Sequence, residues 1–167
     1  MIDPYFLLIS VIAGVTVFQA MRGLSIAAWQ KGGFLHSAWL VVLSLDLLFY
    51  WWRGSQTNAP ELRFPVDGWF IIAALILVFV VHLLDPKRAT GNLEEHFIAN
   101  RKKIFLSYLG FWLATDIGQY IFNGEIEPAI VPWAIALTGA FVSNRKVQMV
   151  LPILGFAIVI FFSVMFL

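Results

Sequence analysis

The chain has 167 residues, 60% of them hydrophobic and only 13% charged, with 11 lysines and arginines against 10 acidic residues and a mean hydropathy of +0.84. Soluble domains run at about half apolar and about a quarter charged, so this composition excludes an ordinary water-soluble fold and asks for a bilayer as solvent. The absence of cysteine excludes disulfides, thiolate metal sites, iron–sulfur clusters and cysteine nucleophiles.

Crossing the hydrocarbon core takes about 20 apolar residues. Read in chain order, the first such stretch is 5–29. It follows the acidic start Met1-Ile2-Asp3-Pro4, which lacks the basic region of a cleavable signal, so it is read as a retained helix. Gln30-Lys31-Gly32-Gly33 breaks it, and the paired glycines suit a tight turn. The second stretch is 34–52, followed by a polar loop over 53–65. The third is 66–84, stopped by Asp85-Pro86. Next, Asn92 with Glu94 and Glu95 reads as a helix start, because asparagine caps free N–H groups and acids meet the positive end of the dipole. A cytoplasmic helical extension over 93–103 then runs into the fourth stretch, 104–122, which ends at Asn123-Gly124. The fifth, 129–143, is short and reads as a spanning helix, with a re-entrant segment as the alternative. The sixth is 147–167. The expected fold is therefore all-α integral membrane: a single transmembrane domain over 1–167, a polytopic bundle of six helices.

The basic residues orient it. The loops after the first, third and fifth stretches hold nine of the 11 lysines and arginines, leaving Arg53 and Arg63 for the other side. The positive-inside rule places those three loops in the cytoplasm and both termini outside. Tyr5, Trp51, Trp52, Trp69, Tyr120 and Trp133 fall near the outer ends as an aromatic belt. Gln19–Gly23 and Gln119–Gly124 sit at similar places in stretches one and four, as an inverted repeat would place them.

Charges at bilayer depth are costly, so polar residues inside the stretches are the functional leads. Asp46 on the second, with Asp116 and Gln119 on the fourth, are expected at one outer level. Two carboxylates facing each other resist ionising together, which suits proton or cation handling. The structural alternative lets Arg53 reach down the Asp46–Tyr50–Arg53 face to neutralise Asp46, and gives Asp116 a hydrogen bond from a neighbouring helix. An inner group comprises Gln19, Arg22, His36, His82 and Asp85, with Arg22–Asp85 expected as an ion pair. Two histidines and an aspartate match no local metal motif, so no metal is expected. His96 reads as solvated. Ser10-x-x-x-Gly14 and Gly139-x-x-x-Ser143 are small-residue pairs that permit close helix contact. No deep lysine for a retinal Schiff base, voltage-sensing arginine run, P-loop, dinucleotide fingerprint or Gly-x-Ser-x-Gly is present.

Gly23-Leu24 in the first stretch, Trp51-Trp52 closing the second, the run Leu93-Glu94-Glu95-His96-Phe97-Ile98-Ala99-Asn100-Arg101-Lys102-Lys103 and then Asp116 form a pattern covering nearly the whole chain. It resembles a family of bacterial six-span inner-membrane proteins without an assigned activity; Phe97-Ile98 stands where that pattern has an aromatic pair. The resemblance implies a bacterial inner-membrane location and carries no functional residue. Taken together, the residues suggest an oligomeric cation or proton channel or carrier using Asp46, Asp116, Gln119, Gln19, Arg22, His82 and Asp85 as a polar path. The alternative is a non-catalytic subunit or assembly factor of a larger membrane complex. Neither enzymatic activity, nor a cofactor, nor a nucleic-acid partner is expected; the expected partners are the lipid bilayer, a second copy or other membrane proteins.

Overall fold

The computed structural model describes residues 4–30, 32–56, 66–89, 91–124 and 129–165. Lys31, the loop 57–65, residues 125–128 and the side chains of Tyr5, Tyr50, Trp51, Trp52 and Arg53 lie outside this description, and with them the Asp46–Tyr50–Arg53 face and half of the expected aromatic belt. The apolar stretches form six helices, with no strand among the described residues: α1 Pro4–Ala27, α2 Gly33–Gln56, α3 Val66–Leu83, α4 Leu93–Asn123, α5 Ile130–Phe141 and α6 Arg145–Met165.

Local chemistry sets the boundaries. Gly32 turns the chain between α1 and α2 at φ 77, a left-handed conformation that glycine adopts without a Cβ penalty. Asp85 caps a single 3-10 turn, Pro86–Arg88, its carboxylate accepting from the Lys87 N–H. Asn92 caps α4 by accepting from the Glu94 N–H, with Glu94 and Glu95 in the first turn. Gly124 ends α4 in the left-handed conformation. Between these caps α4 runs 31 residues without a break, so the extension over 93–103 and the fourth stretch are one helix.

In the order α1, α2, α6, α5, α4, α3, each helix packs on the next, and α3 closes back onto α1. α2 and α4 also meet through the middle, which is filled by Trp39, Leu43, Leu47, Phe105, Tyr108 and Phe111, all at most 4% exposed. Trp39 and Phe105 meet edge to face at 4.9 Å. The two halves are not structural copies, against the inverted-repeat expectation. α2 has 24 residues where α5 has 12, and α1 packs along α3 whereas α4 and α6 meet at their starts, Glu94 with Arg145.

One helix among the described residues is long and apolar enough to cross a membrane: its window Ser10–Ala27 has a mean hydropathy of 1.4 and is only 28% buried. Shorter apolar runs are Gly33–Phe49, Ile71–Leu83 and Ile130–Phe141. Helix α5 falls short of the expected 129–143. At about 18 Å the helix itself is shorter than a hydrocarbon core of about 30 Å.

Of the two small-residue pairs, the structure uses Gly139 for close contact and not Gly14. Any Cβ at Gly139 would overlap the ring of Phe105, whereas Gly14 has nothing within 4 Å. Phe105 cannot swing away, because it is fully buried between Trp39 and Phe97. Gly139→Ala is therefore expected to lower stability by about 1–3 kcal/mol, the usual cost of overpacking. Thermal unfolding followed by tryptophan fluorescence checks this, with Gly14→Ala as the control that leaves the midpoint unchanged.

Candidate functional site

Three of the buried polar side chains, Asp46, Asp116 and Gln148, each contact a neighbouring helix. On α2, Asp46 is 5% exposed and accepts a 2.6 Å hydrogen bond from the Tyr108 hydroxyl of α4. This bond bridges α2 and α4 beside the aromatic residues in the middle.

Asp116 lies eight residues further along α4, about 12 Å up the axis and rotated by about 80°. It faces α5 instead of α2, and its carboxylate accepts from the backbone N–H of Ala129 at 3.3 Å. The expected facing pair of carboxylates at one level is thus corrected. Helix periodicity points the two contacts in different directions, and each acid has its own partner. Ala129 stands at the N-cap of α5, where no side chain of its own caps the helix. Asp116 supplies that cap from the neighbouring helix, as the structural alternative expects, and places negative charge at the positive dipole end. The Trp133 indole lies near the same carboxylate without hydrogen-bond geometry to it.

The other end of α5 is closed by a residue the sequence reading missed. Gln148 on α6 is fully buried, and its amide donates to the carbonyls of Gly139 at 2.9 Å and Val142 at 2.5 Å. The last carbonyls of any helix lack intrahelical partners, and α5 takes them from α6. A signal was available: Gln148 is the one amide side chain in the apolar run 147–167. The hydroxyls of Thr16, Ser44 and Thr115 bond within their own helices, to Ile12, Leu40 and Phe111, whereas the buried Ser37 hydroxyl has no hydrogen-bond partner.

The inner group does not assemble: Gln19, Arg22 and His82 are exposed and Asp85 is half-buried, while Gln119 of the outer group is also half-buried. The Asp85 carboxylate caps Lys87, and the expected Arg22–Asp85 ion pair does not form. The ion pair seen among the described residues joins Arg145 at the start of α6 to Glu94 at the start of α4, at 2.5 Å. Nearby, Gly32 between α1 and α2 packs against the Asn92 side chain. The ends of the chain following α1, α3 and α5 therefore meet on one face of the bundle. His36, expected with His82 and Asp85, is fully buried beside His96, whose ring centre is 5.8 Å away. His96 is accordingly half-buried rather than solvated.

Two surface grooves lie elsewhere on the bundle. One between α3 and α4 is apolar, lined by Ile72, Ile76, Phe79 and Gly110, and the other, over the start of α4, is lined by Glu94, Glu95, Arg101 and Arg145. Neither touches Asp46 or Asp116. No family model matches the chain, and no curated protein or solved structure matches it.

Proposed function

We propose that the chain is a six-span protein of the bacterial inner membrane that works as a non-catalytic subunit or assembly factor of a larger membrane complex. The observation that carries this reading is what the buried polar side chains do. Asp46, Asp116 and Gln148 each tie one helix to another, and the space where α2 and α4 meet is occupied by aromatic and aliphatic side chains. In hydrocarbon every backbone polar group needs an internal partner. A short α5 needs capping from its neighbours for that reason alone, with no transported ion to account for the acids.

The outer surface supports membrane residence. Phe18, Leu48, Phe79, Ile117, Leu137 and Ile153 place exposed apolar side chains on all six helices. A soluble monomer rarely shows contiguous apolar surface on that scale. Lys87, Arg88, Lys102, Lys103, Arg145 and Lys146 are exposed on segments at the face where the chain ends meet, which supports a cytoplasmic assignment for that face. The second reading, a cation or proton carrier, is favoured by one feature, the burial of the Asp46 carboxylate.

Two measurements test this. Reporter fusions are expected to place the C-terminus outside and residues 93–103 in the cytoplasm; both on one side would overturn the six-span threading. Vesicles containing the purified protein are expected to pass neither protons, sodium nor potassium. Flux that Asp46→Asn or Asp116→Asn abolishes would replace the scaffold with the carrier.

A further inference from the structure

The chain has three histidines, and the fold brings two of them together from elements 60 residues apart in sequence. His36 on α2 is 0% exposed, and its ring lies 5.8 Å from that of His96 on α4, tilted by 40°. Phe97 packs edge-on against His36 at 6.0 Å, and Leu35, Leu84 and Leu93 around it are buried. Neither His36 Nδ1 nor Nε2 has a hydrogen-bond partner, and His96 Nε2 is also buried without one. The backbone of Leu84 and Leu93 lies close to the His36 ring but off hydrogen-bond geometry. Each neutral imidazole carries one N–H and one lone pair. Leaving them unmatched in apolar surroundings is unfavourable, so the cluster needs an occupant or a role.

Two imidazoles bonded to one metal atom at about 2.0–2.1 Å per bond place their ring centres about 5–6.5 Å apart. The observed separation falls in that range. No third ligand joins them. Among the described residues no three or more His, Asp or Glu side chains converge as a metal cage; Glu94 is taken by Arg145, and Glu95 is exposed. Zinc in structural sites takes four ligands, which this pocket lacks. Cuprous copper accepts two nitrogen ligands; an in-line pair at this bond length puts the ring centres about 6.4 Å apart, so the rings seen at 5.8 Å would move apart by about 0.6 Å on binding. Its single charge is also less costly to bury than a divalent ion's, because the solvation penalty grows with the square of the charge.

We propose that His36 and His96 bind one cuprous ion, each through one ring nitrogen, in a two-histidine site. It lies at the face where the ends following α1, α3 and α5 meet. Binding would tie α2 to the start of α4. No oxidation or reduction of the metal is involved, and the proposal holds whichever way the chain is threaded. It departs from the expectation that the chain holds no metal, because that reading placed His36 with His82 and Asp85.

The chain contains no cysteine, so no thiolate competes for the ion. The full-length protein in detergent, under reducing conditions, is titrated with cuprous ion buffered by a colorimetric chelator. One equivalent is expected to bind. His36→Gln and His96→Gln are each expected to weaken binding by more than about tenfold, while His82→Gln leaves it unchanged. X-ray absorption of the copper-loaded protein is expected to show two nitrogen ligands and no sulfur. Far-UV circular dichroism verifies folding. Should His36→Gln misfold, His96→Gln decides, since that residue is only half-buried. Failure to retain copper against the chelator, retention undiminished in His96→Gln, or sulfur in the metal's shell from a methionine would each overturn the site.

Discussion

Gln148→Leu is expected to destabilise the bundle by about 1–3 kcal/mol: it strips two carbonyls of their partner, each left unmade costing about 1–3 kcal/mol, and removes one unpaired buried acceptor, the Gln148 Oε1. The two carbonyls, of Gly139 and Val142, close the C-terminal end of α5. Leucine fills a similar volume, so the loss reports the hydrogen bonds rather than a cavity. At the opposite end of α5, Asp116→Asn retains an oxygen that accepts from the Ala129 N–H and is expected to stay near wild-type stability. Asp116→Leu is expected to lose about 0.5–2 kcal/mol, the range for a missing N-cap. Thermal unfolding in detergent, followed by tryptophan fluorescence, measures all three. A Gln148→Leu midpoint equal to wild type would remove the capping account of α5. Asp116→Asn and Asp116→Leu falling together would assign Asp116 a role that depends on its charge.

Tyr108→Phe carries the second large effect. It removes the hydroxyl that donates to Asp46 at 2.6 Å and leaves a buried carboxyl group unsatisfied. A buried polar group left without its partner costs about 1–3 kcal/mol, so a loss in that range is expected. Asp46→Asn keeps an acceptor oxygen for the same hydroxyl and is expected to cost less than about 1 kcal/mol. The asymmetry is the diagnostic result: a tether between α2 and α4 survives the amide and fails without the phenol. A loss on Asp46→Asn as large as on Tyr108→Phe would mean that the negative charge at this position, not the hydrogen bond, is what the fold needs.

Much of the helical layout could be read from residues alone. Apolar runs separated by turn formers marked out six helices, and Asn92 and Gly124 marked the ends of α4 through chemistry that acts within a few residues. The burial of Asp46 and Asp116 was legible for the same reason, since a carboxylate in an apolar helix needs a partner. The partners themselves were not legible. Tyr108 lies 62 residues from Asp46, Gln148 reaches back to carbonyls on another helix, and His96 sat in a charged run that read as solvated.

Sequence alone determined which stretches become helices and where α4 begins and ends, because propensity, capping and turn geometry are local; α2, which runs on to Gln56, and α5, which stops at Phe141, end elsewhere than the residues suggested. The tertiary structure decided which way each polar side chain points. Gln19, Arg22 and His82 looked like members of a path yet lie on the outside of the bundle, while His36 and His96, separated by a long stretch of chain, share one buried site. Periodicity spaces residues around a helix but leaves open which neighbour each face meets. That is settled only when large side chains such as Trp39 and Phe105 find packing without overlap, and when the bare surface of Gly139 lets α5 approach α4 closely enough for Asp116 to cap it.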